Sequence, residues 1–359
     1  MLKKHWLTGL IMVLAFSMTG CSSVVTTSDS KNSPTPSNES AAPSKDQASE
    51  KKYKFAVVPA GVHPFFEPME GAAQQAAKDF GFPEVTYQSP QKWNQTEQNV
   101  ILDGLVAKGY TGIAMFPSDP VASNEEISKI VKQGIPVIAV GGSPAEPTDT
   151  LFTLATDVYE SAYQATQHLI KSMGDKGNIV HLTGLITDPN TQLRIKAVET
   201  AVSEHPDVKL IQTISDIDAA EPAQNAISSL LAAKRSELDG IVATAYIPSA
   251  TVARQFKQLG ENRIKAILID TDQSVLDGIK EGYIEGTMSQ NPWGMAYIAS
   301  YTLKLLEDGY TWKDDAPYFI NAGTFLVNKE NIDNYDGLVD QTTKDILKDW
   351  ETKYLNAPK

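Results

Sequence analysis

The chain has 359 residues, with 31 lysines and arginines against 44 aspartates and glutamates and a formal net charge of −13. An acidic balance of that size disfavours nucleic acid and anionic lipid headgroups, both of which call for a basic patch, and no such patch is evident. The single cysteine, Cys21, leaves no pair for an internal disulfide, so an apolar core has to hold the fold.

Residues 1–20 open with Lys3, Lys4 and His5, continue with an apolar run from Trp6 to Met18, and end on small residues. This is the layout of a secretory signal, and the run falls short of the roughly 20 residues that span a bilayer. The sequence Met18-Thr19-Gly20-Cys21 resembles the lipobox of bacterial lipoproteins, with Met18 where Leu is usual. The resemblance implies that Cys21 becomes the lipidated first residue, anchored at the extracytoplasmic face of the cell membrane; otherwise the thiol is discarded with the leader. Residues 21–52 are rich in Ser, Thr, Pro and charge, bury too little apolar surface to order themselves, and are expected to be a disordered tether. A flexible segment of about 30 residues has an r.m.s. span of roughly 30 Å.

The remaining residues, about 300, exceed the usual size of one hydrophobic core and predict two domains. Short β-branched runs at 55–58, 85–87, 112–116 and 136–140 alternate with helical periodicity at 67–80, 96–108 and 121–133. That alternation is the signature of βαβ units and a parallel sheet buried on both faces. After a strand at 151–155 the pattern recurs. Helices are expected at 158–173, 190–204, 220–233, 249–259 and 273–280, and strands at 178–182, 208–214, 240–243 and 264–269. A helix at 293–306, a strand-like run at 319–327 and a helical stretch near 341–353 complete the chain. The fold class is α/β, two doubly wound parallel-sheet lobes.

In open α/β sheets ligands bind beyond the carboxyl ends of the strands, so the residues just after each strand carry the most information. They are Val58-Pro-Ala-Gly-Val-His-Pro-Phe-Phe66, Phe116-Pro-Ser-Asp119, Val140-Gly-Gly-Ser143, Asp188-Pro-Asn-Thr-Gln-Leu-Arg194, Ala243-Thr-Ala-Tyr246, Leu268-Ile-Asp270 and Ser289-Gln-Asn-Pro292. In order and spacing, from about 54 to 328, the chain resembles the type I periplasmic binding proteins, the ribose- and galactose-binding family. The resemblance implies a three-segment hinge with crossings near 155–157, 288–290 and 322–324. It places 53–155 plus 291–322 in an N-terminal lobe, 156–290 plus 323–340 in a C-terminal lobe, and 341–359 in a helical tail. It also implies a monomeric binding protein that delivers a sugar or polyol to the transmembrane permease subunits of an ABC importer. A receptor signalling to a membrane kinase or chemoreceptor uses the same clamp and is the alternative.

Carried over residue by residue, the resemblance makes Phe65, Phe66 and Phe116 aromatic faces for a sugar ring, unless the adjacent phenylalanines are ordinary core. His63 stands where the family has Asn. Asp119 either lines the rim or caps the helix that follows, and Asn190 is either a cap or a pocket wall. Arg194 offers a planar fork of donors to adjacent hydroxyls, its alternative being a surface ion pair. Tyr246 supplies a ring beside the position where the family has Asn. Asp270 accepts from two hydroxyls or caps a helix, and Gln290 both donates and accepts. Where the family has an acidic residue after the fourth strand this chain has Gly141-Gly142, which leaves room for a bulkier ligand or a close backbone approach.

No G-x-S-x-G, H-E-x-x-H, Walker or dinucleotide-binding glycine pattern is present, so no enzymatic activity is expected. Asp270-Thr-Asp272 lacks clustered His or Glu, and neither a metal nor a cofactor is expected. His168 and His205 read as surface or packing residues, and His181, inside a strand, as a satisfied core histidine.

Overall fold

The computed structural model describes residues 53–359; the expected signal segment 1–20, the lipidation site Cys21 and the tether 21–52 lie outside the described residues. The first lobe begins with β1 (Phe55–Val58), α1 (Glu67–Phe80), β2 (Thr86–Tyr87) and α2 (Gln95–Ala107). It continues through β3 (Gly112–Met115), α3 (Ser123–Val131), β4 (Val137–Val140) and β5 (Thr153–Ala155). Every residue of β1, β3 and β4 is buried, as a strand covered on both faces requires. Alternation along β1 is visible in the packing: Phe55 and Val57 enter one apolar core, Ala56 and Val58 another on the opposite face. Helix α1 buries Met69, Ala72, Ala73, Ala76 and Ala77 and stops at Gly81, whose φ of 70° is the left-handed cap that glycine adopts without strain.

The second lobe holds α4 (Val158–Ser172), β6 (Gly177–Leu182), α5 (Pro189–Ser203), β7 (Val208–Ile214) and α6 (Ala220–Lys234). Then come β8 (Gly240–Ala243), α7 (Tyr246–Leu259), β9 (Lys265–Ile269), α8 (Gln273–Glu281) and β10 (Gly286–Gln290). The sequence expectation starts α7 at Ser249, after Pro248, whereas the helix begins at Tyr246. Proline is tolerated in a first turn because the N–H it lacks would be unpaired there anyway.

From β10 the chain returns through α9 (Pro292–Glu307), then β11 (Thr311–Trp312), β12 (Phe319–Asn321), β13 (Thr324–Asn328), α10 (Tyr335–Leu347), α11 (Trp350–Tyr354) and β14 (Leu355–Asn356). The run expected as one strand at 319–327 is therefore two, separated by Ala322-Gly323, with Gly323 at φ 85°. The halves lie in different sheets, because the first sheet runs β12-β5-β4-β3-β1-β2 and the second β13-β10-β9-β8-β6-β7. All neighbours in both sheets pair parallel except β13 on β10.

Four segments pass between the lobes: those after β5, after β10 and between β12 and β13, which hydrogen bonds tie side by side, and, after β13, helix α10. Ala322 N–H donates to the Ala155 carbonyl at 2.8 Å, the Thr324 hydroxyl to the Ser289 carbonyl at 2.9 Å, and the Asn291 amide to the Ala322 carbonyl at 3.1 Å. Such a bundle of crossings lets the lobes open and close while resisting twist.

Residues 341–359, expected as a separate tail, are integral to the first lobe. Helix α10 starts at the second lobe, where the Tyr335 hydroxyl meets the Thr271 hydroxyl at 3.0 Å, and ends with Ile346 and Leu347 against the first-lobe core. Trp350 is fully buried there, its indole N–H donating to Thr302 Oγ1 at 3.0 Å, and β14 pairs antiparallel with β11. Trp312 stacks on Phe152 with centroids 4.1 Å apart, closing the cluster. A charged stretch reads as a tail because its apolar residues, Trp350, Tyr354 and Leu355, are too few and too widely spaced to announce a core.

Candidate functional site

The carboxyl ends of β1, β3 and β4 face those of β6, β7, β8 and β9 across one cleft, which holds a cavity of about 60 Å³ and is partly open to solvent.

The first-lobe wall is built by three loops. After β1, residues 64–66 form a 3₁₀ turn whose cap is His63; its Nδ1 accepts the Phe65 N–H at 3.2 Å. The proton of the neutral ring is thereby placed on Nε2, which is buried and has no hydrogen-bond partner. The tight turn sends successive phenylalanines to opposite sides. Phe65 lines the cleft, whereas Phe66, 1% exposed, enters the core and meets Phe116 edge-on at 5.2 Å. Phe66 thus supports the wall and does not form it.

Phe116 follows β3 and lines the cleft. A Cβ on Gly141 would lie 2.9 Å from the Phe116 ring, and one on Gly142 2.8 Å from it. The space the glycines leave is consequently taken by Phe116 and is not left for a larger ligand. Buried Gln98 of α2 fixes both loops, donating to the carbonyls of Pro59 (3.0 Å) and Phe116 (2.7 Å) and accepting from Ser118 N–H (3.1 Å). Asp119 is exposed and lies outside the cleft, its carboxylate accepting the N–H groups of Val121 and Ala122, each at 2.8 Å. It organises the turn leading to α3.

The second-lobe wall is polar. Asp188 caps α5 by accepting Asn190 N–H at 2.9 Å, and Asn190 and Arg194, one turn apart, both line the cleft. Arg194 Nε is buried without a partner. Asp218 follows β7, Ala245 and Tyr246 follow β8, and Asp270 follows β9. Asp270 sits at φ 64°, held by its N–H to the Met288 carbonyl at 2.9 Å, and is 8% exposed. Gln290, at the end of β10, donates to Asp270 Oδ1 at 2.8 Å. Of the ten residues expected at the site, the structure brings eight to the cleft, Phe66 and Asp119 being the exceptions.

Sequence reasoning missed Trp93 and Asp218 and treated Asp188 only as part of a segment. Trp93 reaches in from the loop after β2, its indole N–H donating to the Ser118 carbonyl at 2.9 Å and its ring 5.2 Å from Phe116. Both residues follow strands, so the rule that pointed to Asp270 also covers them.

Burial dominates the electrostatics. It lifts Asp270 from the ordinary carboxylate value of 3.8 to about 6, with Asp218 adding to the rise and the Gln290 hydrogen bond and Arg194 opposing it. Burial likewise raises Asp188, against Arg194 and the Asn190 N–H. It lowers His63, outweighing the pull of Asp218 and Glu67. Behind the floor, burial and then Arg194 push His181 down to about 3. Its Nε2 pairs with Thr244 Oγ1 at 2.7 Å, while Nδ1 has no partner, so this core histidine is only half satisfied.

Among the described residues no group of three or more His, Cys, Asp or Glu is placed to hold a metal ion, and no helix is long and apolar enough to cross a membrane. What the cleft presents is aromatic surface from one lobe and convergent donors and acceptors from the other. Two hinged α/β lobes with such a cleft define a clamp for a small polar molecule.

Residues 55–311 match the periplasmic binding protein domain, and the chain belongs to that family. It is 23% identical over 283 residues to a xylitol-binding protein of Mycolicibacterium smegmatis, covering 74% of this chain and 79% of that one. A D-apiose import binding protein of Paraburkholderia graminis is 22% identical over 282 residues, covering 78% and 88%. The crystal structure of an ABC transporter solute-binding protein from Burkholderia graminis in complex with D-arabinose shares the fold. Its TM-score is 0.71 at 23% identity, covering 79% of this chain and 98% of that one.

Proposed function

We propose that this chain is the extracytoplasmic solute-binding protein of an ABC importer, capturing a sugar or sugar-like polyol by lobe closure and delivering it to the permease. The observation that carries the reading is a pair of buried donors without partners, His63 Nε2 and Arg194 Nε, one from each lobe. A buried donor left unpaired is costly, and a ligand oxygen between the lobes satisfies it while favouring the closed form. Asp270 and Gln290 then take up neighbouring hydroxyls, and the faces of Phe65 and Phe116 meet the C–H surface of the ligand. The ligands named for the relatives, xylitol and D-apiose, and the D-arabinose of the structural neighbour belong to this chemistry. In this reading the protein binds without turnover, acts as a monomer and is held at the membrane by a lipid on Cys21.

The test is a thermal-shift screen of the purified chain against pentoses, hexoses, deoxysugars, polyols and nucleosides. A ligand at about 100 times its Kd adds roughly 2.7 kcal/mol to stability, a visible rise in melting temperature. A rise confined to one sugar or polyol class supports the proposal. A rise only with a non-carbohydrate keeps the clamp and overturns the cargo.

A further inference from the structure

The two walls of the cleft differ in what they can do for a hydroxyl group. The second lobe supplies carboxylates, an amide and a guanidinium. From the first lobe, Phe65, Phe116 and Gly141 bring no side-chain hydrogen-bonding group, and the Trp93 indole N–H is already given to Ser118. Three of the main-chain groups there are occupied as well. Phe116 N–H donates to the Val58 carbonyl, Gly141 N–H to the Leu154 carbonyl, and the Phe116 carbonyl accepts from Gln98. Among the side chains that line this wall, the polar atom left without a partner is His63 Nε2, and because Nδ1 accepts the Phe65 N–H, it can only donate.

A hydroxyl carries a proton that needs an acceptor, and the first-lobe side chains offer none. An ether oxygen, which needs only a donor, suits His63, and methyl or C–H groups suit the rings. We infer that the cleft selects a deoxysugar, bound with its hydroxyl-poor edge against Phe65, Trp93 and Phe116 and its hydroxyls toward Arg194 and Asp270. This rests on the sugar-receptor reading above and narrows it. An apolar wall rejects an added hydroxyl only moderately, by about ten- to a hundredfold, and that is the size of discrimination to look for.

The experiment is calorimetric titration of the purified chain with matched pairs differing by one oxygen. The pairs are L-rhamnose with L-mannose, L-fucose with L-galactose, D-fucose with D-galactose, and 2-deoxy-D-ribose with D-ribose. The expected result is at least one deoxysugar binding tenfold or more tightly than its hydroxylated partner, with the gap narrowed in Phe116→Asn. The comparison within the unaltered protein stands even if that variant does not fold. Equal or tighter binding of the hydroxylated member of every pair that binds overturns the inference and leaves the sugar-receptor reading intact. So does binding of xylitol or D-arabinose with none of the deoxysugars. Binding of no carbohydrate at all overturns both.

Discussion

The rings of His63 and Tyr246 meet edge to face across the cleft, with centroids 5.6 Å apart and planes at 77°. One residue belongs to the first lobe and the other opens α7 of the second, so the pair is a latch between lobes. The Tyr246 hydroxyl also reaches Asp272 Oδ2 at 3.4 Å, which steadies the ring.

Replacing Tyr246 with Ala removes that latch and one face of the site. An aromatic pair contributes about 0.5–1.5 kcal/mol beyond the area it buries, so ligand affinity is expected to drop roughly tenfold. Calorimetric titration gives the affinity. Small-angle scattering of the ligand-free chain is expected to show a larger radius of gyration in the variant, reporting lobes that separate more readily.

Asp270 makes both stability and binding depend on pH. Its folded value near 6 lies above the ordinary 3.8, so the unfolded chain gives up this proton first. Between those values the folded state binds more protons, and the contribution of this group to stability is complete below about pH 4 and lost as the pH rises through 6. Asp270→Asn is therefore expected to stabilise the ligand-free protein at pH 7 by about 3 kcal/mol and to change little at pH 4. The same substitution weakens ligand binding by at least tenfold, because hydrogen bonds to a charged acceptor contribute about 1.5–3 kcal/mol. In the unaltered protein, affinity should fall as the pH drops below 6. Melting curves and titrations at pH 5 and 7.5 check both signs.

Phe116 and Gly142 are expected to be coupled. A methyl group added at Gly142 lies 2.8 Å from the Phe116 ring, and overpacking of this kind typically costs about 1–3 kcal/mol. Gly142→Ala should lower stability by that amount, and Phe116→Leu in the same chain should restore most of it. Urea unfolding of the two single variants and the double variant gives the coupling energy; simple additivity would show that the ring and the glycine do not share the space.

Trp350→Ala should cost about 3–5 kcal/mol, the range for emptying a buried aromatic site, and it leaves Thr302 Oγ1 without its indole donor. The residue is remote from the cleft, so titration well below the variant's melting temperature should return the original affinity.

Much of the scaffold was readable because its periodicities are strong. The apolar run at Phe55–Val58 and the helical period over Glu67–Phe80 match the strand and helix observed there. The cleft was readable to the extent that function sits directly after strands: Arg194, Asp270 and Gln290 converge as that rule requires. What escaped depends on geometry that one-dimensional spacing does not contain. Phe65 and Phe66 are neighbours in one motif, yet a single 3₁₀ turn separates cleft from core. Asp119 spends its carboxylate on a turn, and Trp93 and Asp218 sit in polar loops without periodicity to mark them. The filling of the glycine site by Phe116 joins loops after different strands, and only packing reveals it.

Because α11 and β14 complete the core begun by β1, the first lobe is made from segments on either side of the second lobe. The order of synthesis then matters. A ribosome or an export channel delivers Phe55 about 300 residues before Trp350, so this lobe cannot seal until the intervening second lobe has emerged. The second lobe, apart from β13, is one uninterrupted stretch and is free to assemble sooner. For a protein that must stay threadable on its way out of the cell, as the proposed export requires, connectivity itself acts as a timer that postpones the finished receptor to its destination.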